Sequence, residues 1–390
     1  MSRKVAIVGG SLSKFGVRKA NFRELIQEAG KGLFDDVSNL DKRDVDSFFC
    51  GSAMPERFAF QSYVAPLAAA QLGIKPFKVT MRTELACATG QAAIRAAYAC
   101  ISAGLSEIAL VLGVEKMNVP NMAEGQASMA SVFDREWNGV HGVTAPSFFA
   151  LCAQRHMLTY GTTQEQMALV SVKNHKNSSS NPYAHFQKEF SVEDVMNSFV
   201  ISPPLKLLDC SGITDGAAAL LMTSAERARE FTDTPSYILG TAQNGSGMLV
   251  EELEGLSNWY PLRRAARDSL KSARISLNEI DLAELHDCFT ISEIIEYEEL
   301  GFCEKGMGGR FIEEEQSYIG GKIPVNTGGG LLGCGHPLGA TGVRQAIEIL
   351  WQFQSKVHPS RQVDAEIGLA HNLSGDANVH SIMIYGRDLR

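Results

Sequence analysis

One succession of elements occurs twice in this chain, and any fold must accommodate both copies. Residues 5–9 (VAIVG) are an apolar, β-branched run closed by glycine, and residues 237–240 (YILG) repeat that form. Residues 21–40 carry apolar positions at Leu25, Ile26, Ala29, Leu33 and Val37, the spacing of one helix face. Strands are predicted at 44–49, 78–82 and 108–113, with helices at 63–72 and in the small-residue stretch that follows Cys87. The last third predicts a helix at 261–273, a strand at 281–285, a helix from about Ala340 to 352 and a strand at 367–371. Ala88-Thr89-Gly90 recurs as Ala340-Thr341-Gly342, and Glu107-Ile108 recurs as Glu366-Ile367. The strand entries Asp44-Val45-Asp46 and Glu279-Ile280-Asp281 also match in kind. The same order at near-constant offset predicts two α/β halves related by duplication, each a mixed sheet covered by helices on both faces.

Residues 119–204 have a different texture, rich in Met, Asn, His, Ser and Tyr, with helices predicted at 147–160 and 163–177. We read them as a subdomain inserted over one face, where lids and binding loops are commonly built. The predicted domains are a first half at 1–118 plus 205–232, the insert at 119–204, and a second half at 233–390. Residues 215–223 return as a strand of the first half.

At 390 residues, the chain exceeds the length at which a single core keeps growing. A net charge of −8 with no basic face argues against nucleic acid as a partner. The first 20 residues hold no signal-peptide run, no stretch is long enough for a membrane span, and Asp388-Leu389-Arg390 is no peroxisomal address. The expectation is a cytoplasmic protein that binds no membrane. The eight cysteines include no Cys-x-x-Cys and no zinc-type spacing, so no metal and no disulfide framework is expected. Most are expected to be reduced and packed as small hydrophobes.

Two stretches carry chemistry. Residues 325–351 place a glycine run and His336-Pro337 immediately before a helix. Free backbone N–H groups and an imidazole at the positive end of a helix dipole suit an anion or a thiolate. Cys87 stands at the entry of the twin helix among alanines and glycine. A free thiol is only about 3% thiolate at pH 7, and a helix N-terminus with a nearby imidazole is expected to raise that fraction. Duplication brings the two helix starts together, which makes Cys87 and His336 candidates for nucleophile and base.

Cys87-Ala88-Thr89-Gly90, His286-Asp287-Cys288-Phe289, Asp215-Gly216-Ala217-Ala218-Ala219 and the string from Gly335 to Gly342 (GHPLGATG) together resemble the thiolases, over nearly the whole length. The resemblance implies a five-layer αβαβα core of two repeats with a loop domain, and ping-pong chemistry on 3-ketoacyl-CoA. Cys87 would carry the acyl group as a thioester, and His336 would take its proton and then sit by the thioester oxygen.

Two departures from the common thiolase pattern matter. His286-Asp287-Cys288-Phe289 stands where Asn-Glu-x-Phe is usual, and Leu373 stands where a second catalytic cysteine is usual. This pattern resembles the sterol-carrier-protein-2 type and archaeal acetoacetyl-CoA thiolases, in which the cysteine matching Cys288 is the acid/base. A thiol suits a proton that must be both removed and returned. His286 would then help hold the enolate oxygen, and the backbone N–H groups of Cys87 and Gly375 would hold the acyl-enzyme oxygen.

Weaker candidates are His371 and Asn372, for which a role orienting Cys288 or His286 stands beside a structural pairing. Cys334 is read as a packing residue. Lys173, His175, Lys176, Arg263 and Arg264 are read as solvated surface charge in preference to contacts for CoA phosphates, and Met117, Met122 and Met129 as core filler.

The leading expectation is an acetyl-CoA C-acetyltransferase whose substrates, acetyl-CoA and acetoacetyl-CoA, are coenzyme A thioesters, with no permanently bound cofactor. The alternatives are a degradative thiolase of longer 3-ketoacyl-CoA, or a silent thiolase-like protein that binds acyl-CoA or scaffolds a partner. Resemblance further implies a homodimer or homotetramer, and in archaeal relatives a link to an HMG-CoA synthase through a small bridging protein.

Overall fold

The structure, a computed structural model, describes residues 3–119, 121–247 and 255–390. The first half begins with β1 (Val5–Leu12), α1 (Phe22–Asp36), β2 (Ser47–Gly51), α2 (Pro55–Phe58), α3 (Val64–Leu72) and β3 (Val79–Thr83). It continues through α4 (Thr89–Ser102) and β4 (Ile108–Glu115). The middle of the chain holds α5 (Met122–Met129), α6 (Ala145–Tyr160), α7 (Gln164–Ser179), α8 (Val192–Met196), β5 (Val200–Ser202), β6 (Leu205–Lys206) and β7 (Gly216–Ser224). The remainder is β8 (Ser236–Gly245), α9 (Tyr260–Ala273), β9 (Leu282–Glu284), α10 (Thr290–Leu300), α11 (Gly308–Glu313), α12 (Gly330–Cys334), α13 (Leu338–Phe353), β10 (Ile367–Ser374) and β11 (Val379–Gly386).

Local sequence explains where elements begin. Asn21 caps α1: its side chain accepts from Glu24 N at 3.1 Å, and its own N–H donates to the Glu24 carboxylate at 2.7 Å. Leu25, Ile26, Ala29 and Leu33 of that helix are buried, and α1 packs on β1 and β7. The helix predicted from Ala340 begins two residues earlier, because Pro337 serves as its N-cap.

Among the described residues, nine strands form a sheet in the order β3-β2-β4-β7-β1-β8-β11-β10-β9, extended by a parallel bridge from Ala283 to Val325, while β5 and β6 pair as a separate two-stranded sheet. Read outward from the β1–β8 junction, both halves have the same plan. In each, the first strand is followed by a late antiparallel strand, then the strand after the Ala-Thr-Gly helix, then the second strand of the half. The duplication read from sequence is therefore a duplication of topology.

Helices α4 and α13 form the central layer. α13 touches β1, β4 and β7 of the first half, β8, β9 and β10 of the second, and α4 itself. The Ala-Thr-Gly repeat marks where these two helices meet. A Cβ on Gly90 would lie 2.7 Å from Gly339 O, and one on Gly342 would lie 2.3 Å from Gln91 N, distances no side chain tolerates. α1 and α3 cover the outer face of the first half, while α9 packs on β8 and β11 outside the second. This gives the five-layer αβαβα arrangement.

The middle segment lies over the second half: α7 packs on α10, α11 and α12, and α6 on α10. Among the described residues, no helix is long and apolar enough to cross a membrane.

Candidate active site

Cys87 sits in a single 3-10 turn (Ala86–Ala88) that leads into α4. The turn is strained, with Ala86 in the left-handed region at φ +42°. It is held by Leu85 N donating to Thr89 Oγ1 at 2.8 Å and by Ser374 Oγ donating to Leu85 O at 3.0 Å. The second of these bonds ties the Cys87 turn to β10, so one half fixes the other half's residue.

His336 precedes α13, and its ring is locked. Thr341 Oγ1 lies 3.0 Å from Pro337 O, to which it donates, so it accepts from His336 Nδ1 at 2.7 Å. The proton is thereby placed on Nδ1, and Nε2, buried and without a partner, presents its lone pair. His286 stands edge-on to His336 with ring centres 4.9 Å apart, and neither of its nitrogens has a protein partner. One atom each of Cys87, His286 and His336 lie within 4.8 Å of one another. Residues far apart in sequence thus converge on one point.

Cys288 lies beside this cluster, near enough for the Cys87 sulfur to act on it. Its thiol is buried, 3.6 Å from Ser292 Oγ, and its pKa is pushed well above the ordinary value by burial and then by the Cys87 sulfur beside it. Gly375 is left-handed at φ +59°, and its N–H and that of Cys87 lie near enough to the Cys87 sulfur to favour its charged form. These two donors are the candidates to hold charge that collects on a group attached there.

The electrostatics correct one expectation. Burial pushes the Cys87 thiol up to about 12, with Glu115 and Glu84 adding to the rise, against the lowering pull of the two N–H groups. Burial, then Arg344, pushes His336 down to about 3. The pair is therefore a neutral thiol beside a neutral imidazole, not the preformed thiolate the helix N-terminus suggested. Desolvation outweighs the dipole here.

Beneath the site runs a buried chain of which sequence reasoning singled out only His371. Glu296 accepts from His286 N at 2.9 Å and lies 3.3 Å from His371 Nδ1. His371 Nε2 meets His380 Nδ1 at 3.0 Å, and His380 Nε2 donates to Ala377 O at 2.7 Å. Following the protons back from that carbonyl leaves His371 Nδ1 unprotonated. Burial raises Glu296 well above the carboxylate range, so it faces that nitrogen as the acid. Glu296 carries no local signal beyond lying on α10, whose eleven residues are all buried although four are glutamates.

Asp287 is an anchor, accepting from Leu331 N at 2.7 Å, Leu332 N at 3.1 Å and Asn174 Nδ2 at 2.7 Å. Asn372 bonds Gln345 and the His371 carbonyl, which favours its structural reading.

Several weaker expectations fall differently. Lys173 is not surface charge: it is buried, 2.6 Å from Glu293 and 2.9 Å from Val325 O, and His175 is buried with it. An amphipathic pattern cannot reveal a partner on a distant helix, which is why the lysine read as solvated. Lys176, Arg263 and Arg264 are exposed, Arg263 paired with Glu299 and Arg264 over the Tyr260 ring. Cys334 is buried as expected. Met117 and Met129 pack with Met54, Phe58 and Leu338 in the apolar cluster that borders Cys87, so they are core and wall at once. The Met122 side chain lies outside the described residues.

Comparison with known proteins agrees with this arrangement. The family described as "Thiolase, N-terminal domain" matches residues 5–226, and "Thiolase C-terminal domain-like" matches residues 245–387. The chain is 42% identical over 386 residues to an acetyl-CoA acetyltransferase of Methanothermobacter thermautotrophicus, spanning 99% of this chain and 100% of that one. It is 31% identical to human sterol carrier protein 2 over 95% of this chain and 70% of that protein. Among solved structures, the Ltp2-ChsH2(DUF35) aldolase superposes with a TM-score of 0.86 at 27% identity, covering 100% of this chain and 99% of that one. The two repeated halves, the convergent cysteine–histidine cluster and these matches establish that the chain belongs to the thiolase family of acyltransferases.

Proposed function

We propose that this thiolase joins two acetyl-CoA into acetoacetyl-CoA and CoA, or runs the reverse, by a ping-pong route through an acyl-Cys87 thioester. The observation that carries the reading is the unpartnered Nε2 of His336 beside the Cys87 sulfur, with the backbone N–H groups of Cys87 and Gly375 near that sulfur. His336 Nε2 takes the thiol proton as the sulfur attacks the thioester carbonyl. The N–H groups of Cys87 and Gly375 hold the developing oxyanion, and the proton leaves with CoA. Cys288, once its own proton has passed to His336 Nε2, removes the α-proton of the second acetyl-CoA. His286 and the protonated His336 hold the enolate oxygen, and the enolate carbon attacks the acyl-enzyme carbonyl, displacing the Cys87 sulfur, which recovers its proton from His336. Because thiol and imidazole are both neutral at rest, charge appears only when substrate is present to receive it. Coenzyme A thioesters enter as substrates, and no permanently bound cofactor takes part. The 42% identity to an archaeal acetyl-CoA acetyltransferase over the full chain supports the two-carbon donor.

Incubation with labelled acetyl-CoA tests the assignment. Wild type should retain one acetyl group on the peptide bearing Cys87, and Cys87→Ala should retain none; label on the variant would refute the nucleophile.

A second reading, thiolysis of longer 3-ketoacyl-CoA, is favoured by the wall beside Cys87. Met54, Met117, Met129, Leu338 and Phe58 are apolar and, where they are methionines, able to repack around a longer chain. Thiolysis rates across acetoacetyl-CoA and longer esters separate the two, since a short-chain enzyme loses rate steadily with length. A silent scaffold is disfavoured by the assembled Cys87, Cys288 and His336.

As to assembly, we infer a homodimer or homotetramer. The solved neighbour that pairs with a DUF35 protein also makes a heterologous partner, such as a small bridging protein to an HMG-CoA synthase, a reading to test by co-purification.

A further inference from the structure

Two histidines and a cysteine converge with three unusual features at once. Their donor atoms lie within 4.8 Å of one another. The His286 ring is fully buried yet makes no hydrogen bond through either nitrogen, and His336 is 6% exposed with Nε2 unpartnered. The His336 lone pair is aimed by a fixed proton on the far nitrogen, held by Thr341. Buried polar atoms are almost always satisfied, so three such nitrogens around one sulfur mark a place that something else completes.

During turnover, substrate oxygens complete it. Between turnovers, the same donors form another chemical set. A thiolate with two neutral imidazoles is a soft, three-ligand set that leaves a fourth position open, the arrangement of borderline-soft ions such as Zn²⁺. Hard ions that require carboxylate or carbonyl oxygens find no match in it.

From this convergence we propose that Cys87, His286 and His336 form a binding site for a thiophilic divalent cation, which competes with acylation for the same sulfur. Tetrahedral zinc bonds place ligand atoms roughly 3.3–3.6 Å apart. Closing from the present spread requires a displacement of about an ångström. No protein hydrogen bond of the His286 ring has to break for it to turn toward the ion. His336 supplies the fixed point. As the metal–sulfur bond forms, the Cys87 S–H bond breaks and its proton goes to solvent. Both imidazoles contribute lone pairs, no electron is transferred, and the fourth position is left to water. That this blocks catalysis rests on the function proposed above; that the ion binds does not.

The experiment uses full-length protein stripped with chelator and titrated with zinc chloride, and in parallel with cobalt chloride as a spectroscopic probe. One zinc per chain should survive gel filtration, and cobalt should give a thiolate-to-metal charge-transfer band. Cys87→Ser should abolish that band, and His336→Gln should weaken binding by at least about tenfold. Cys210→Ala, which removes a thiol outside the cluster, should leave binding unchanged. Wild type provides a readout that needs no variant: zinc should slow iodoacetamide labelling of the Cys87 peptide, and prior acetylation by acetyl-CoA should lower zinc uptake. Equal zinc binding by Cys87→Ser, or unslowed labelling of Cys87 at saturating zinc, would overturn the site. Failure here with Cys87 still acetylated by acetyl-CoA sinks this inference alone, whereas zinc bound to a chain that never acetylates sinks the proposed function alone.

Discussion

Cys288 lies deeper than Cys87 and has a separate task, so the two thiols can be told apart by what survives their removal. In the proposed mechanism, Cys288→Ala should still transfer acetyl to Cys87 but lose carbon–carbon bond formation by roughly 10²-fold or more, the range for a general acid–base group. Condensation at the parental rate would move that role elsewhere. The buried histidines add a pH signature. Burial holds His371 at about 3, while in the unfolded chain it titrates near ~6.5. The folded state binds fewer protons between those values, so stability from this group is full above the unfolded pKa and is lost as pH falls toward the folded one. His371→Asn should therefore flatten the decline of melting temperature between about pH 6 and pH 4. An unchanged slope would mean the ring is not held neutral. At this scale Cys87, His336, His286 and Cys288 were legible because each sits in a short motif. Glu296, Asp287 and the Lys173–Glu293 pair were not, because their meaning lies in partners across the fold.

The central helices show what the repeat was for. Gly342 lies inside α13, where propensity alone would make alanine stabilising by about 1 kcal/mol. A Cβ there would meet Gln91 N at 2.3 Å and Asn372 Oδ1 at 2.6 Å, so overpacking of about 1–3 kcal/mol or more should win. Gly342→Ala is expected to lower the urea midpoint and slow acetylation of Cys87 together, because separating α4 from α13 separates the cysteine from the histidine. A raised midpoint would show that the contact is slack. The paired elements were readable because periodicity and glycine punctuation are local. Among the elements that went unread, β11 and α10 are the most telling. β11 (Val379–Gly386) lies between β8 and β10 and is an almost unbroken buried run without clean alternation. The glutamates of α10 mimic a solvated face, yet Glu293, Glu298 and Glu299 are ion-paired with Lys173, Lys305 and Arg263, and Glu296 contacts His371.

For the molecule as a whole, the homo-oligomer proposed above would find a seat at the outer edge of the first half. Among the described residues β3 ends the sheet with no further strand beyond it, and Phe60, Tyr63 and Phe77 on the segments leading to it are exposed. An open edge flanked by aromatic side chains is a liability in a lone protein and an asset in an assembly. Light scattering should give a mass at least twice that of one chain; a monomer at micromolar concentration would count against assembly. The site itself straddles the duplication, with Cys87 from one repeat and His286, Cys288, His336 and Gly375 from the other, and with Ser374 reaching across to the Cys87 turn. In the proposed mechanism, neither repeat standing alone holds the residues the reaction requires. Activity is consequently a logical AND over the two repeats: a chain in which either has come undone contributes nothing, and turnover counts only molecules whose halves are docked.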